Sequence, residues 1–274
     1  MLNIRPAAVA GAFYPAHPDA LRRMLVECFD AAKPARLRPK ALIVPHAGYV
    51  YSGPIAASGY ALLKPLRALI RRVVLLGPVH RVWVPGLALP GLPPTGVAAF
   101  ETPLGQVPLD QAGIASIADF PQVSVSPAAH AEEHSLEVHL PFLQTVLADF
   151  SLIPLAVGGA TAEEVAEVLD RLWGGNETLI VVSSDLSHFL PYAEAKRVDA
   201  TTASAILNLD SYLVGEQACG AHPINGLMLV AKQRGLVPHL LDIRNSGDTA
   251  GDHSRVVGYA AFALVEPEHE LAHP

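Results

Sequence analysis

The sequence predicts an α/β fold: a single domain with a mostly parallel central sheet flanked by helices. Three observations carry that reading. Strand-like and helix-like stretches alternate almost throughout, the pattern of parallel strands joined by crossover helices. Three runs, at 41–45, 73–77 and 179–183, are short, β-branched and closed by Pro, Gly or Ser, as buried strands are. No linker or internal repeat divides the 274 residues, so one domain is expected over 1–274.

Taken in order, residues 1–18 read as loop and include the aromatic pair Phe13-Tyr14. Asp19 reads as the N-cap of a helix to about Asp30, with Leu21, Met24, Leu25 and Cys28 on its apolar face. Cys28 there is a small buried hydrophobe. After the strand at 41–45, Pro54 opens a helix through Leu63. The strand at 73–77 is followed by a Pro/Gly-rich stretch, 85–95, holding a short strand near Leu87–Leu89. Phe100–Gly105 reads as a turn, and a helix starts from Asp110. Ser135 reads as the cap of a helix to about Leu143, with Pro141 tolerated in its first turns. Ser151–Val157 is a strand, and Thr161–Leu172 is a Thr-capped helix with Glu163 and Glu164 in its first turn. The strand at 179–183 precedes a helix over about 193–207. A further helix opens near Pro223 and runs to about Lys232. Strands at 237–243 and 256–265 close the fold, and 266–274 reads as a frayed tail.

Composition narrows the function classes. Half of the residues (51%) are hydrophobic and 16% charged, enough for a sizeable core and against disorder. A net charge of -7 without a basic run argues against nucleic acid. No signal peptide is visible, and no apolar run approaches the roughly 18 residues of a membrane helix. Cys28 and Cys219 are too few for a disulfide framework, so a cytoplasmic, reducing location is expected and no membrane association.

All three buried runs stop at a residue that can bind a metal: His46, His80, and Asp185 with His188 three residues on. Open α/β sheets bind ligands at the carboxyl ends of their strands, and loops there present functional side chains. One shared site, with a metal in it, is the expectation. Cys219 is a further contributor: it precedes a helix, whose N-terminus favours the thiolate, although a buried inert cysteine is the equal alternative. Without a CxxC pair, and with donors scattered along the chain, this is a site assembled by the fold and not a structural zinc site. Two histidines and an anionic ligand suit non-haem Fe(II), while a Cys ligand equally admits Zn or Cu. Asp185 is either a ligand or a residue that orients a ligating His.

His134, Glu137 and His139 form a second candidate group, in which His134 and Glu137 share a helix face at i, i+3. They do not make an HExxH pattern, but either suits general acid/base work, or both lie on a solvated helix start. His130, His239, His269 and His273 read as loop or surface residues, and Asn245–Asp248 as a polar turn. No GxGxxG, Walker or GxSxG pattern occurs.

The segments at 5–15 (RPAAVAGAFYP), 44–53 (VPHAGYVYSG), 76–80 (LGPVH), 133–142 (EHSLEVHLPF), 183–188 (SSDLSH) and 219–224 (CGAHPI) together resemble the Memo family, also called AmmeMemoRadiSam system protein B. The likeness spans about the whole chain, in order. It implies a fold like that of the LigB-like class III extradiol dioxygenases, which open catechol rings with non-haem Fe(II). It implies His46, His80 and Cys219 as metal ligands, the Cys standing where the dioxygenases have a carboxylate. Asp185, Tyr49, Tyr51, Phe13 and His222 would line the pocket, and His188, His134 and Glu137 would serve as acid/base groups. Val79 and His139 depart from the family pattern, where a small polar residue and a Gln are common. The implied function is a metal-dependent, dioxygenase-like oxidoreductase, with a divalent metal, Fe(II) first and Zn or Cu next. The alternatives are a non-catalytic adaptor that holds a small-molecule or peptide ligand in the same pocket, and a Zn-dependent hydrolase. Radical-SAM and AMMECR-type proteins are the implied partners.

Overall fold

The computed structural model describes residues 3–93 and 96–267. In chain order its elements are β1 (Ile4–Arg5), α1 (Pro18–Asp30), β2 (Pro39–Val44), α2 (Tyr49–Tyr60), a 3-10 segment (Ala61–Leu66) and β3 (Arg72–Pro78). Then come β4 (Leu87–Leu89), β5 (Ala99–Thr102), β6 (Gly105–Pro108), α3 (Gln111–Ala115), β7 (Val123–Val125), α4 (Pro127–Ala131), α5 (His134–Glu137) and α6 (Leu140–Val146). The chain continues with β8 (Ser151–Val157), α7 (Ala162–Leu172), β9 (Thr178–Ser183), β10 (His188–Leu190), α8 (Tyr192–Leu207), α9 (Ala221–Arg234), β11 (Val237–Asn245), α10 (Ser246–Thr249) and β12 (Val256–Val265).

The large sheet runs β10-β12-β2-β9-β3-β8-β4-β7, with β11 also paired to β12. Its centre, β2-β9-β3-β8, is parallel, and every residue of β2 and β9 is buried. This is the doubly covered layer that the apolar runs predict. The flanks are antiparallel, so the sheet is mixed: β12 runs against β2, β11 and β10, and β4 against β8. β11 and β12 follow one another with only α10 and a loop between them, too little for a parallel crossover.

Local differences from the sequence reading have simple causes. The helix expected from Pro54 begins five residues earlier, at Tyr49. Pro54 is tolerated inside it because the carbonyl it leaves unpaired belongs to Val50, an exposed residue. His17, not Asp19, caps α1, its Nδ1 accepting from the Asp19 N–H, with Pro18 in the first turn. Phe100–Gly105 is a β5–β6 hairpin, and its turn is closed by Gly105 at φ +121°. Glu133 replaces Ser135 as the cap of α5. Thr161 makes the expected cap, with Glu164 bonding back to its N–H. Cys28 is buried, as read. Within the expected tail, 268–274 lies outside the described residues.

The register sets up the site. Val44 pairs with Ser183, and Leu76 with Val182, so β2, β9 and β3 end level with one another. His46, Asp185 and His80 each stand two residues beyond the last residue of their strand. Among the described residues, no helix is long and apolar enough to cross a membrane.

Candidate metal centre

One ligand atom from each of His46, His80 and His134 lies within 4.8 Å of the other two. His46 and His80 come from the ends of β2 and β3, and their ring centroids are 5.2 Å apart. His134 comes from the first residue of α5, with its ring 4.5 Å from that of His80 and 5.4 Å from that of His46. A glycine makes this possible. A Cβ at Gly77 would fall 2.6 Å from Ser135 Oγ and 3.0 Å from Leu136 Cδ2, so only glycine lets α5 lie against the end of β3. Ser135 Oγ then donates to the Pro78 carbonyl at 2.7 Å.

The polar groups behind the rings decide which nitrogen faces the site. Ser183 Oγ donates its one proton to the Ser135 carbonyl at 2.6 Å. It must therefore accept from Nδ1 of His46 at 2.6 Å, and from Nε2 of His139 at 2.8 Å. Glu133 Oε1 accepts from His80 Nδ1 at 2.9 Å and lies 3.3 Å from His134 Nδ1. Nδ1 is thereby the protonated nitrogen of His46 and His80, and the lone pair of Nε2 on each is left to face the site. A carboxylate behind a ligating histidine is a recurrent feature of metal sites, and Glu133 serves two. Burial pushes Glu133 up, but hydrogen bonds from the His80 side chain and the Ser135 and His80 N–H groups outweigh it and hold the carboxyl at about 2. Burial drives His46 well below its ordinary value and His134 down to about 4, aided by the neighbouring histidines. Both are neutral near pH 7, the form that binds metal.

Cys219, Asp185 and His188 border the same space. Cys219 Sγ is 3.3 Å from His46 Nε2 and accepts from the Asp185 N–H. Burial, then the Asp185 charge, pushes this thiol up to about 12. Burial thus overrides the helix-start effect that the sequence suggested, since α9 begins only at Ala221. Asp185 Oδ1 accepts from the His46 N–H at 2.8 Å, and Oδ2 stands 3.9 Å from His46 Nε2. Burial raises it to about 7, against backbone hydrogen bonds from His46 and Ala47. His188 is partly buried on β10, and burial lowers it. An open cleft of about 590 Å³ leads to these groups, lined by Phe13, Tyr51, His134, Asp185, Arg255 and Tyr259 among others.

Three expected site residues lie elsewhere. Glu137 is fully buried, paired with Arg5 at 2.5 Å and hydrogen-bonded by Ala8 N, Val9 N and Tyr14 OH. With its oxygens spent on these donors it has no lone pair for proton transfer at the site, nor is it on a solvated face. Tyr49 is a core residue packed on Phe142, its hydroxyl donating to the Val138 carbonyl. His222 is exposed on the first turn of α9 and does not line the cleft. His130 is buried rather than superficial, with Nε2 on the Ala88 carbonyl at 2.8 Å. His239 is partly buried on β11, and His269 and His273 lie outside the described residues. Sequence reasoning missed Glu133 and Ser183, and it grouped His139 with His134 and Glu137 without placing it behind His46 on Ser183. The available signals were a carboxylate directly before His134 and a polar residue at the carboxyl end of an apolar strand.

The family model described as Memo-like protein matches residues 5–263. A MEMO1 family protein of Aquifex aeolicus is 35% identical over 279 residues, covering 96% of this chain and 100% of that protein. MEMO1 family proteins of Archaeoglobus fulgidus and Ignicoccus hospitalis are each 36% identical, over 275 and 291 residues, covering 95% and 96% of this chain and 99% of each relative. Among solved structures, the uncharacterized protein JW3007 from Escherichia coli K12 matches with a TM-score of 0.47 and 16% identity, over 82% of this chain and 99% of that one.

Proposed function

The chain belongs to the Memo family, and from that premise we propose that it is a metal-dependent oxidoreductase acting on a small ligand held in the cleft. The observation that carries this reading is the convergence of three imidazoles, two of them backed by the one carboxylate of Glu133. His46, His80 and His134 are the proposed ligands, with Cys219 beside His46 as the candidate thiolate donor. These residues would hold a divalent metal such as Fe(II), which would supply Lewis-acid polarisation of a bound oxygen donor and redox chemistry with dioxygen.

The chain's own groups suit that role. Phe13 packs against His134, its ring tilted by 38° at a centroid distance of 4.6 Å, and walls the cleft with an apolar ring. Tyr51, Tyr259 and Arg255 give the cleft polar ends that orient a ligand. His188, partly exposed at the border of the site, is the proposed proton carrier.

The test is metal analysis of protein purified without chelator, followed by oxygen uptake over a panel of catechols and small phenols. Bound iron with uptake supports the proposal, and iron-loaded protein without uptake counts against catalysis. Loss of metal is expected in His46→Ala and His80→Ala. His134→Ala is expected to lose it too, whereas Cys219→Ser keeps it with an altered spectrum; the reverse result would make Cys219 the third ligand. Zinc as the native metal would favour the hydrolase reading, and peptide binding that survives metal removal would favour the adaptor.

A further inference from the structure

Arg5 is 4% exposed and does not line the cleft, yet all three guanidinium nitrogens donate to the segment 130–137 that builds the site, Nη1 also reaching the Pro6 carbonyl at 3.3 Å. Nε donates to the His130 carbonyl at 2.8 Å, Nη2 to the Glu133 carbonyl at 2.9 Å, and Nη1 to Glu137 Oε2. Glu137 in turn holds the loop at 8–14 through Ala8 N at 2.8 Å, Val9 N at 3.0 Å and Tyr14 OH at 2.6 Å.

A buried ion pair is weak evidence for stability, because desolvation offsets most of its attraction; its better-attested use is to specify one arrangement. This pair lies where two parts of the site meet. On one side it grips Glu133, whose carboxylate backs His80 and His134, and the single turn of α5 that starts at His134 and ends at Glu137. On the other it anchors the loop that presents Phe13 to the His134 ring.

We propose that the Arg5–Glu137 pair is a positioning device for the metal centre, fixing the Glu133–His134 turn and the Phe13 wall in a single geometry. The inference rests on the metal-binding reading above. Arg5 and Glu137 are positioning residues: they act through Glu133, His134 and Phe13.

The test is Co(II) titration of the full chain, with the visible d–d spectrum of the bound ion, in wild type, Glu137→Gln, Arg5→Lys and Tyr14→Phe. Glu137→Gln is expected to weaken Co(II) about 10- to 100-fold and to change the spectrum, the range found when groups behind metal ligands are removed. Arg5→Lys keeps the charge but loses the fork, and is expected to follow it. Tyr14→Phe removes one donor and should show a smaller shift in the same direction. A lowered melting temperature with wild-type Co(II) affinity and spectrum would make the pair merely structural and overturn the inference. Where Glu137→Gln does not fold, Tyr14→Phe and Arg5→Lys decide on the same criterion. Wild type that takes up no Co(II) fails the metal reading itself. The ring proton resonances of His80 and His134 in Tyr14→Phe then decide the positioning role alone: moved supports it, unmoved overturns it.

Discussion

The hydroxyl of Ser183 lies 2.6 Å from Nδ1 of His46 and gives its own proton to the Ser135 carbonyl, so the histidine is the donor and its Nε2 is free to face the site. One serine at the end of β9 therefore sets the tautomer of a ring that leaves the end of β2. Ser183→Ala is expected to weaken Co(II) or Zn(II) binding about 10-fold. It should also cost about 1–3 kcal/mol, because ring N–H groups on His46 and His139 lose their buried acceptor. Calorimetric metal titration and urea denaturation measure both. Unchanged affinity would mean that packing alone orients His46.

Acid should unfold this protein through its histidines. Burial is the largest cause holding His130 at about 4, His134 at about 4 and His139 at about 3 in the fold, against an ordinary 6.5. The unfolded chain binds these protons first as pH falls. Their contribution to stability is thus complete above about pH 6.5 and is lost progressively as pH falls toward 4. His130 alone accounts for about 3 kcal/mol of that loss. It lies away from the candidate ligands, so His130→Gln, which keeps a donor for the Ala88 carbonyl, is expected to flatten the dependence of metal-free stability on pH by about one proton. A slope equal to that of wild type would remove His130 from the account.

The sequence made the scaffold of the site legible and left its wiring obscure. His46, His80 and Asp185 were visible because each follows a strand whose apolar run is unmistakable, and the parallel register brings those ends level. His134 was visible as a chemical residue but not as a neighbour of His46, since that depends on Gly77 admitting α5 against β3. Glu137 misled for the converse reason. Its spacing from His134 suggested a shared face, whereas its partners, Arg5 and Tyr14, lie more than a hundred residues away in sequence. Short elements such as β7, β10 and α10 carry too few residues for a period to show.

Phe189 is expected to be a strained residue whose replacement by glycine does not harm stability. Among the described residues, two non-glycine residues have φ in the left-handed region. Leu209, at +57°, follows the C-cap of α8, where that conformation is common. Phe189, at +60°, sits in the irregular β10–β12 pairing and is 59% exposed, so burial does little to offset a cost of about 1–2 kcal/mol. The Arg255 guanidinium, 5.0 Å from the ring centroid, returns about 0.5–1 kcal/mol. Phe189→Gly should therefore be neutral or more stable, and Phe189→Ala less stable than the glycine variant by about 1 kcal/mol. Urea denaturation of the two variants side by side checks this; equal midpoints would show that the backbone is unstrained.

Gly77 offers the sharpest test of how the third histidine reaches the site. A methyl there meets Ser135 Oγ at 2.6 Å and Ser135 Cβ at 3.1 Å, so Gly77→Ala must push α5 off the end of β3. The expected cost is about 1–3 kcal/mol of overpacking, together with weaker Co(II) binding, because His134 moves with the helix. Ser135→Ala removes the nearest clashing atom, and with it the hydrogen bond to Pro78 worth about 1 kcal/mol. If the clash is the cause, the double variant is less destabilised than the sum of the singles by about 0.5 kcal/mol or more, the signature of direct contact. Co(II) affinity should recover in parallel. Strict additivity, or recovered stability without recovered Co(II) affinity, would mean that Gly77 matters for the strand and not for the placement of His134.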